Sequence, residues 1–208
     1  DREARRLSFP DRDLSVLAVP DVPGLVRPSF TPDSGARYNV LVIHGEVEGM
    51  LPDNAMPGDR AAVQFTHAEL AAAHWDYVAL GHYHVFREVL PNTFYSGSID
   101  YTSLNPWGER FEEGIARIPG KGFIERDLDS GAMTFHPLSA SRPFIDLPPI
   151  NARNSTAAEL DERIRSTVDA CVGGIDDKIV RTANMTQTAV GDKKGLWTTV
   201  VAAAVLVG

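Results

Sequence analysis

Short stretches rich in β-branched and aromatic residues recur through the first two thirds of the chain, each closed by Gly, Pro, Asn or Asp. Such runs suit a pleated, half-buried surface and the residues between them suit turns, so this part is constrained to a sheet-based fold. Strands are predicted over 14–20 (LSVLAVP), 38–45 (YNVLVIHG), 77–82 (YVALGH), 85–90 (VFREVL), 92–98 (NTFYSGS), 122–129 (GFIERDLD) and 132–138 (AMTFHPL). Asp129-Ser130-Gly131 predicts a tight hairpin between the last two, and Pro91-Asn92 predicts another. Helical signals are fewer. Thr66 and Glu69 have capping-box spacing at the head of 66–75, and over 155–172 Leu160, Ile164, Val168 and Cys171 share one helical face. Strands that mostly succeed one another, with a helix before YVAL, predict a layered α/β sandwich rather than a doubly wound sheet.

Three prolines interrupt the strand pattern within 139–155 and put a domain boundary near residue 141. Residues 1–140 then form the main domain, 141–185 the strand–helix–strand opening of a smaller α/β domain, and 186–208 an apolar tail. The mostly apolar run 196–208 is shorter than the roughly 20 residues of a membrane-spanning helix, so no membrane association is expected. A formal charge of −8 argues against a uniformly basic nucleic-acid coat. It leaves room for a local positive groove, or for a metal centre that carries the positive charge itself. The single cysteine, Cys171, permits no internal disulfide and fits a reducing, cytoplasmic location. The opening DREARRLSF has neither an initiator methionine nor the apolar core of a signal peptide, and both ends read as cuts in a longer protein.

The six histidines are not equivalent. His82 and His84 flank Tyr83 directly after Gly81, at the tip of a predicted strand. In extended backbone, side chains i and i+2 leave on one face with Cα atoms about 6.6 Å apart. Ions of a binuclear centre lie about 3.5–4 Å apart, so two imidazoles from one strand end are expected to lean onto different ions. Tyr83 then points the other way and packs. His44 closes the run NVLVI before Gly45, which delivers an imidazole at a second strand terminus. Neutral imidazole suits Mn, Fe, Zn or Ni alike. Each signal also has a plainer reading: an isolated His-x-His can be a solvated or hydrogen-bonded pair, and a lone strand-end histidine can be structural. His67, His74 and His136 are read as structural.

Taken together, IHG at His44, a helix, DYVALGHYH, FYSGSIDYTSLNPWGE and KGFIERDLDSG resemble the calcineurin-like metallophosphoesterases, and within them the DNA-repair exonuclease branch. The likeness covers most of residues 14–185. Tyr95–Ser98 and Lys121-Gly122-Phe123 are similar to the stretch that trails the Gly-His-x-His motif there, and Arg142–Leu147 looks like the start of its small capping domain. The resemblance implies the C-terminal half of a four-layer α/β sandwich with two divalent ions, Mn²⁺ foremost, at strand ends. His44 and His82 would bind one ion and His84 the other. Ser98, Asp100, Tyr101 and Asn105, in the loop after the motif, would be placed to contact substrate, although by residue type alone loop scaffolding is the favoured reading. Arg87, Arg110 and Arg117 offer a phosphate-positioning patch.

The family's earlier motifs, Asp-x-His, Gly-Asp-x-x-Asp and Gly-Asn-His, are absent. The pairs Gly58-Asp59 and Gly191-Asp192 lack the following Asp. With them go the bridging carboxylate and the histidine that protonates the leaving group. Three neutral imidazoles offset none of the charge of two divalent ions. The expectation is therefore a piece of a phosphodiesterase acting on DNA, inactive by itself and assembling with an ATPase subunit. The alternatives are a phosphoesterase for small diesters or phosphoproteins, and a non-catalytic binding module of a repair complex.

Overall fold

Three of the apolar runs form neighbouring parallel strands, and the rest of the first unit is built around them. The computed structural model describes residues 2–51, 60–103, 106–138, 143–153, 155–171, 173–174, 178–185 and 199–204. The chain parts into two compact units, Asp1–Ser141 and Arg142–Gly208. In the first, the described residues form strands β1 (Arg5–Phe9), β2 (Leu14–Val19), β3 (Tyr38–His44), β4 (Glu46–Val47), β5 (Gln64–Phe65), β6 (Tyr77–Gly81), β7 (Arg87–Leu90), β8 (Thr93–Tyr95), β9 (Gly122–Arg126) and β10 (Met133–Pro137). Helix α1 (His67–Ala71) lies between β5 and β6, and α2 (Pro106–Ala116) between β8 and β9.

The main sheet has the order β1-β2-β3-β6-β8-β7. Its four inner strands are parallel, and β1 and β7 close it antiparallel at the edges. The fold is thus mixed α/β, with one mixed multi-strand sheet and few helices. Both expected hairpins form, β7–β8 and β9–β10. The capping box at Thr66 and Glu69 also forms, although α1 is much shorter than the predicted helix.

Alternation along the strands divides the sheet into two faces. Leu17 and Val19 of β2, Leu41 and Ile43 of β3, and Val78 and Leu80 of β6 point one way, into a core completed by Val47, Val63, Phe65, Leu70, Trp75 and Tyr95. The other face carries Leu7, Phe9, Val16, Val40 and Val42, aligned across β1, β2 and β3 by the register. The β9–β10 hairpin meets its β6–β8 end, where Phe135 contacts Phe86 and Phe86 stacks on Phe94.

The second unit holds β11 (Phe144–Asp146), α3 (Ala157–Asp169), β12 (Ile179–Met185) and β13 (Thr199–Ala204). Strands β11 and β12 pair in parallel around α3, and β13 joins β12 antiparallel. Helix α3 starts at a capping box between Thr156 and Glu159, and Leu160, Ile164, Val168 and Cys171 are half-buried. Part of the run read as an apolar tail is therefore a strand. Among the described residues, no helix is long and apolar enough to cross a membrane.

Candidate metal centre

Parallel pairing brings the carboxyl ends of β2, β3 and β6 to one edge of the sheet, the edge at which α/β proteins open ligand crevices. Val19, last in β2, pairs with Ile43, and His44, last in β3, pairs with Gly81 at the end of β6. Asp21 follows β2 by two residues, and His82 directly follows β6. One ligand atom from each of Asp21, His44 and His82 lies within 4.8 Å of the other two. The imidazoles of His44 and His82 meet edge to face, with ring centroids 5.7 Å apart. The sequence gives no local signal for Asp21, a lone Asp between two prolines, and only the β2–β3 register places it here.

The expectation that His82 and His84 leave one extended strand on a shared face is not met. Strand β6 stops at Gly81, and His82 has φ 106°, a conformation few non-glycine residues adopt. That turn directs His82 toward His44, and the two histidines sit in a loop. Gly81 eases the close approach: a Cβ there would lie 3.1 Å from His44 Nδ1, and the imidazole would have to give by a few tenths of an ångström. Tyr83 packs as expected: its ring meets Tyr95 edge to face, and its hydroxyl donates to Glu112 of α2.

Two features favour these residues as ligands. Burial, then the positive charge His82 would carry, hold its pKa below the ordinary histidine value, with Asp21 opposing and His84 adding to the lowering. A neutral ring with an available lone pair is the form a metal takes. Asp21 is fixed by the main-chain N–H of Val63, which donates to its Oδ1 at 2.8 Å. Two imidazoles and one carboxylate suit Mn, Fe, Zn or Ni, and Asp21 supplies negative charge that the three histidines lack. By its donor chemistry, this cluster fits a divalent ion.

His84 stands apart from that trio, held by other partners. Its Nδ1 lies 3.1 Å from Glu109 Oε1 on α2, and the second oxygen of Glu109 accepts from Lys121. Lys121 also donates to the main-chain carbonyl of His84 at 2.7 Å, lies 4.5 Å from the Tyr101 ring centre, and is 3.1 Å from Glu113 Oε1, within ion-pair reach though not aligned as a hydrogen bond. Tyr101 closes the cluster by donating to Glu113 Oε2 at 2.6 Å, and burial followed by that bond pushes its phenol pKa up. Gly97 makes the approach possible: a Cβ there would meet the His84 carbonyl oxygen and the Phe86 nitrogen at 3.0 Å.

The loop residues proposed to contact substrate divide accordingly. Tyr101 is buried in the acid cluster. Ser98 bonds the His84 and Asp100 carbonyls, and Asp100 accepts from the Tyr101 N–H. Asn105 lies outside the described residues, as do Gly58-Asp59 and Gly191-Asp192. Arg87 lies over the Tyr83 ring, while Arg110 and Arg117 are exposed. His67 pairs with Glu48, and His136 pairs with Glu125 and stacks on Phe123. Compared with known proteins, the chain matches no protein-family model and no curated sequence.

Proposed function

We propose that this chain carries the imidazole side of a two-metal phosphoesterase centre of the DNA-exonuclease type, set in half of a four-layer sandwich. The observation that carries the reading is the convergence of Asp21, His44 and His82 at the carboxyl edge of a parallel sheet, with His84 two residues further on. Asp21, His44 and His82 would hold one ion and His84 would contribute to a second. Two divalent ions supply Lewis-acid activation of water and neutralise charge on phosphoryl oxygens. Two imidazoles with one carboxylate also serve mononuclear ferrous sites. His84, two residues beyond His82, supplies a third imidazole and favours the binuclear assignment. The open apolar side of β1–β3 is the surface a further layer of such a sandwich would cover.

The remaining ligands, including a bridging carboxylate, would come from outside this sequence, so the 208-residue chain alone is expected to bind metal without hydrolysing diesters. The test is the product of the gene that encodes this chain, assayed with Mn²⁺ on linear duplex DNA and on bis-nitrophenyl phosphate. Loss of DNA digestion in His82→Ala is expected. Equal digestion by His82→Ala, or no hydrolysis of either substrate, would overturn the assignment. Hydrolysis of the small diester without DNA digestion would favour the small-substrate reading, which the charge of −8 supports.

A further inference from the structure

His84 is gripped at both ends of its residue. Lys121 Nζ and the Ser98 N–H hold its carbonyl at 2.7 Å and 3.1 Å, and Glu109 holds its ring at Nδ1. Glu109 is gripped in turn by Lys121, whose side chain is 1% exposed, and Lys121 is bracketed by Glu113 and the Tyr101 ring. No member of the cluster can rotate without breaking another contact.

The chemistry of the Glu109 contact fixes the imidazole. A carboxylate only accepts hydrogen bonds, so the ring nitrogen it meets carries a proton, and in the neutral ring, the form that binds metal, the lone pair falls on Nε2. Buried carboxylates that orient a metal-binding imidazole through its far nitrogen work this way. Helix α2 is built for the task against the usual pattern. Glu109 and Glu113 are its buried residues, while Phe111 and Ile115 are 70% and 68% exposed. Buried ion clusters are a poor source of net stability, which points to orientation as their use.

We propose that Glu109, held in place by Lys121, is a positioning residue that locks His84 in the Nδ1–H tautomer and presents Nε2 as the donor to a divalent cation. The proposal rests on the metal-centre reading and assigns its second imidazole a fixed chemical state. The test uses the ¹⁵N-labelled product of the gene that encodes this chain, with Zn²⁺ alone as probe. Long-range ¹H–¹⁵N spectra of the metal-free protein should show a protonated Nδ1 and an unprotonated Nε2 at His84, and Zn²⁺ should shift Nε2. Glu109→Ala should give mixed tautomers and weaken Zn²⁺ binding about 10–100-fold. In a His84→Ala background the same substitution should change nothing, which shows that Glu109 acts through His84. Glu109→Met, which keeps much of the volume and removes the acceptor, carries the same comparison if the alanine variant does not fold. An Nε2–H tautomer in the parent protein, or unchanged Zn²⁺ affinity in a folded Glu109 variant, overturns the positioning role while leaving the centre standing. Absence of any Zn²⁺ response at the His44 and His82 rings overturns the centre, and the positioning role with it.

Discussion

On one face of the six-stranded sheet Leu17, Leu41, Ile43 and Val78 are sealed under Phe65, Leu70 and Trp75. On the other, Leu7, Phe9 and Val42 are 41%, 41% and 40% exposed, although the residues there are equally apolar. A parallel strand covered on both sides reads as a continuous apolar run, and NVLVI and SVLAV read that way. The contrast therefore lies in what covers each face, not in what the strands offer. The sealed face also anchors the site. Tyr95, fully buried, donates to the Gly45 carbonyl and accepts from the Val47 N–H, both at 2.9 Å, and so latches the segment that follows His44. His44 itself alternates to the open side with Val40 and Val42, so the latch holds the backbone from one face while the ligand leaves on the other.

The largest expected effect follows from this contrast. Leu41→Ala, on the sealed face, should lower the unfolding free energy by about 2–5 kcal/mol in a urea titration. Leu7→Ala, on the open face, should cost less than about 1 kcal/mol. Equal losses would mean that Leu7 is covered in solution and would end the distinction.

Tyr95→Phe comes next. It leaves a buried carbonyl and a buried N–H without their partner and should cost about 1–3 kcal/mol. Ultraviolet titration gives an independent reading. Burial, with Glu46 adding and the Val47 hydrogen bond opposing, pushes the Tyr95 phenol up to about 12 from its ordinary 10.0. A phenol whose pKa is raised on folding favours the native state while it stays protonated. Its contribution is full below pH 10 and disappears as the pH rises through about 12. A tyrosine step near pH 12 that Tyr95→Phe removes is expected, and a difference between parent and Tyr95→Phe titrations centred near the ordinary pH 10 would contradict the latch.

How far the sequence reveals this architecture depends on whether local pattern and burial agree. They agree for β2, β3 and β6, whose apolar runs are buried, and for both hairpins and the capping box at Thr66, which rest on contacts within a few residues. They disagree in α2, whose buried stripe is Glu109 and Glu113 and whose outward residues include Phe111 and Ile115, so hydrophobic periodicity points the wrong way. Strand β1 (RRLSF) is exposed along its whole length and gives no burial pattern to read. At the centre, His44 and His82 are visible as histidines that close apolar runs. Asp21 enters only through strand register, and the turn at His82 only through its φ of 106°. The Glu109 contact to His84 spans 25 residues and joins a helix to a loop, which no spacing rule anticipates.

The finest test of the two faces uses one substitution in two places. Val→Thr keeps the shape of the side chain and replaces a methyl group with a hydroxyl, so its cost reports whether that hydroxyl can reach water. At Val78, 1% exposed, the hydroxyl enters hydrocarbon and should cost about 1–3 kcal/mol. At Val42, one strand over on the opposite face and 40% exposed, it stays hydrated and should change stability by less than about 0.5 kcal/mol. Val42 pairs with Ala79, the neighbour of Val78, so the two sites share strand order, depth along the sheet and backbone hydrogen bonding. Any difference between them then belongs to the covering layer alone. A Val42→Thr cost as large as that at Val78 would show the face to be occupied in solution by structure that excludes water. A negligible cost, together with improved solubility, is the result expected of an apolar surface that still awaits its partner layer.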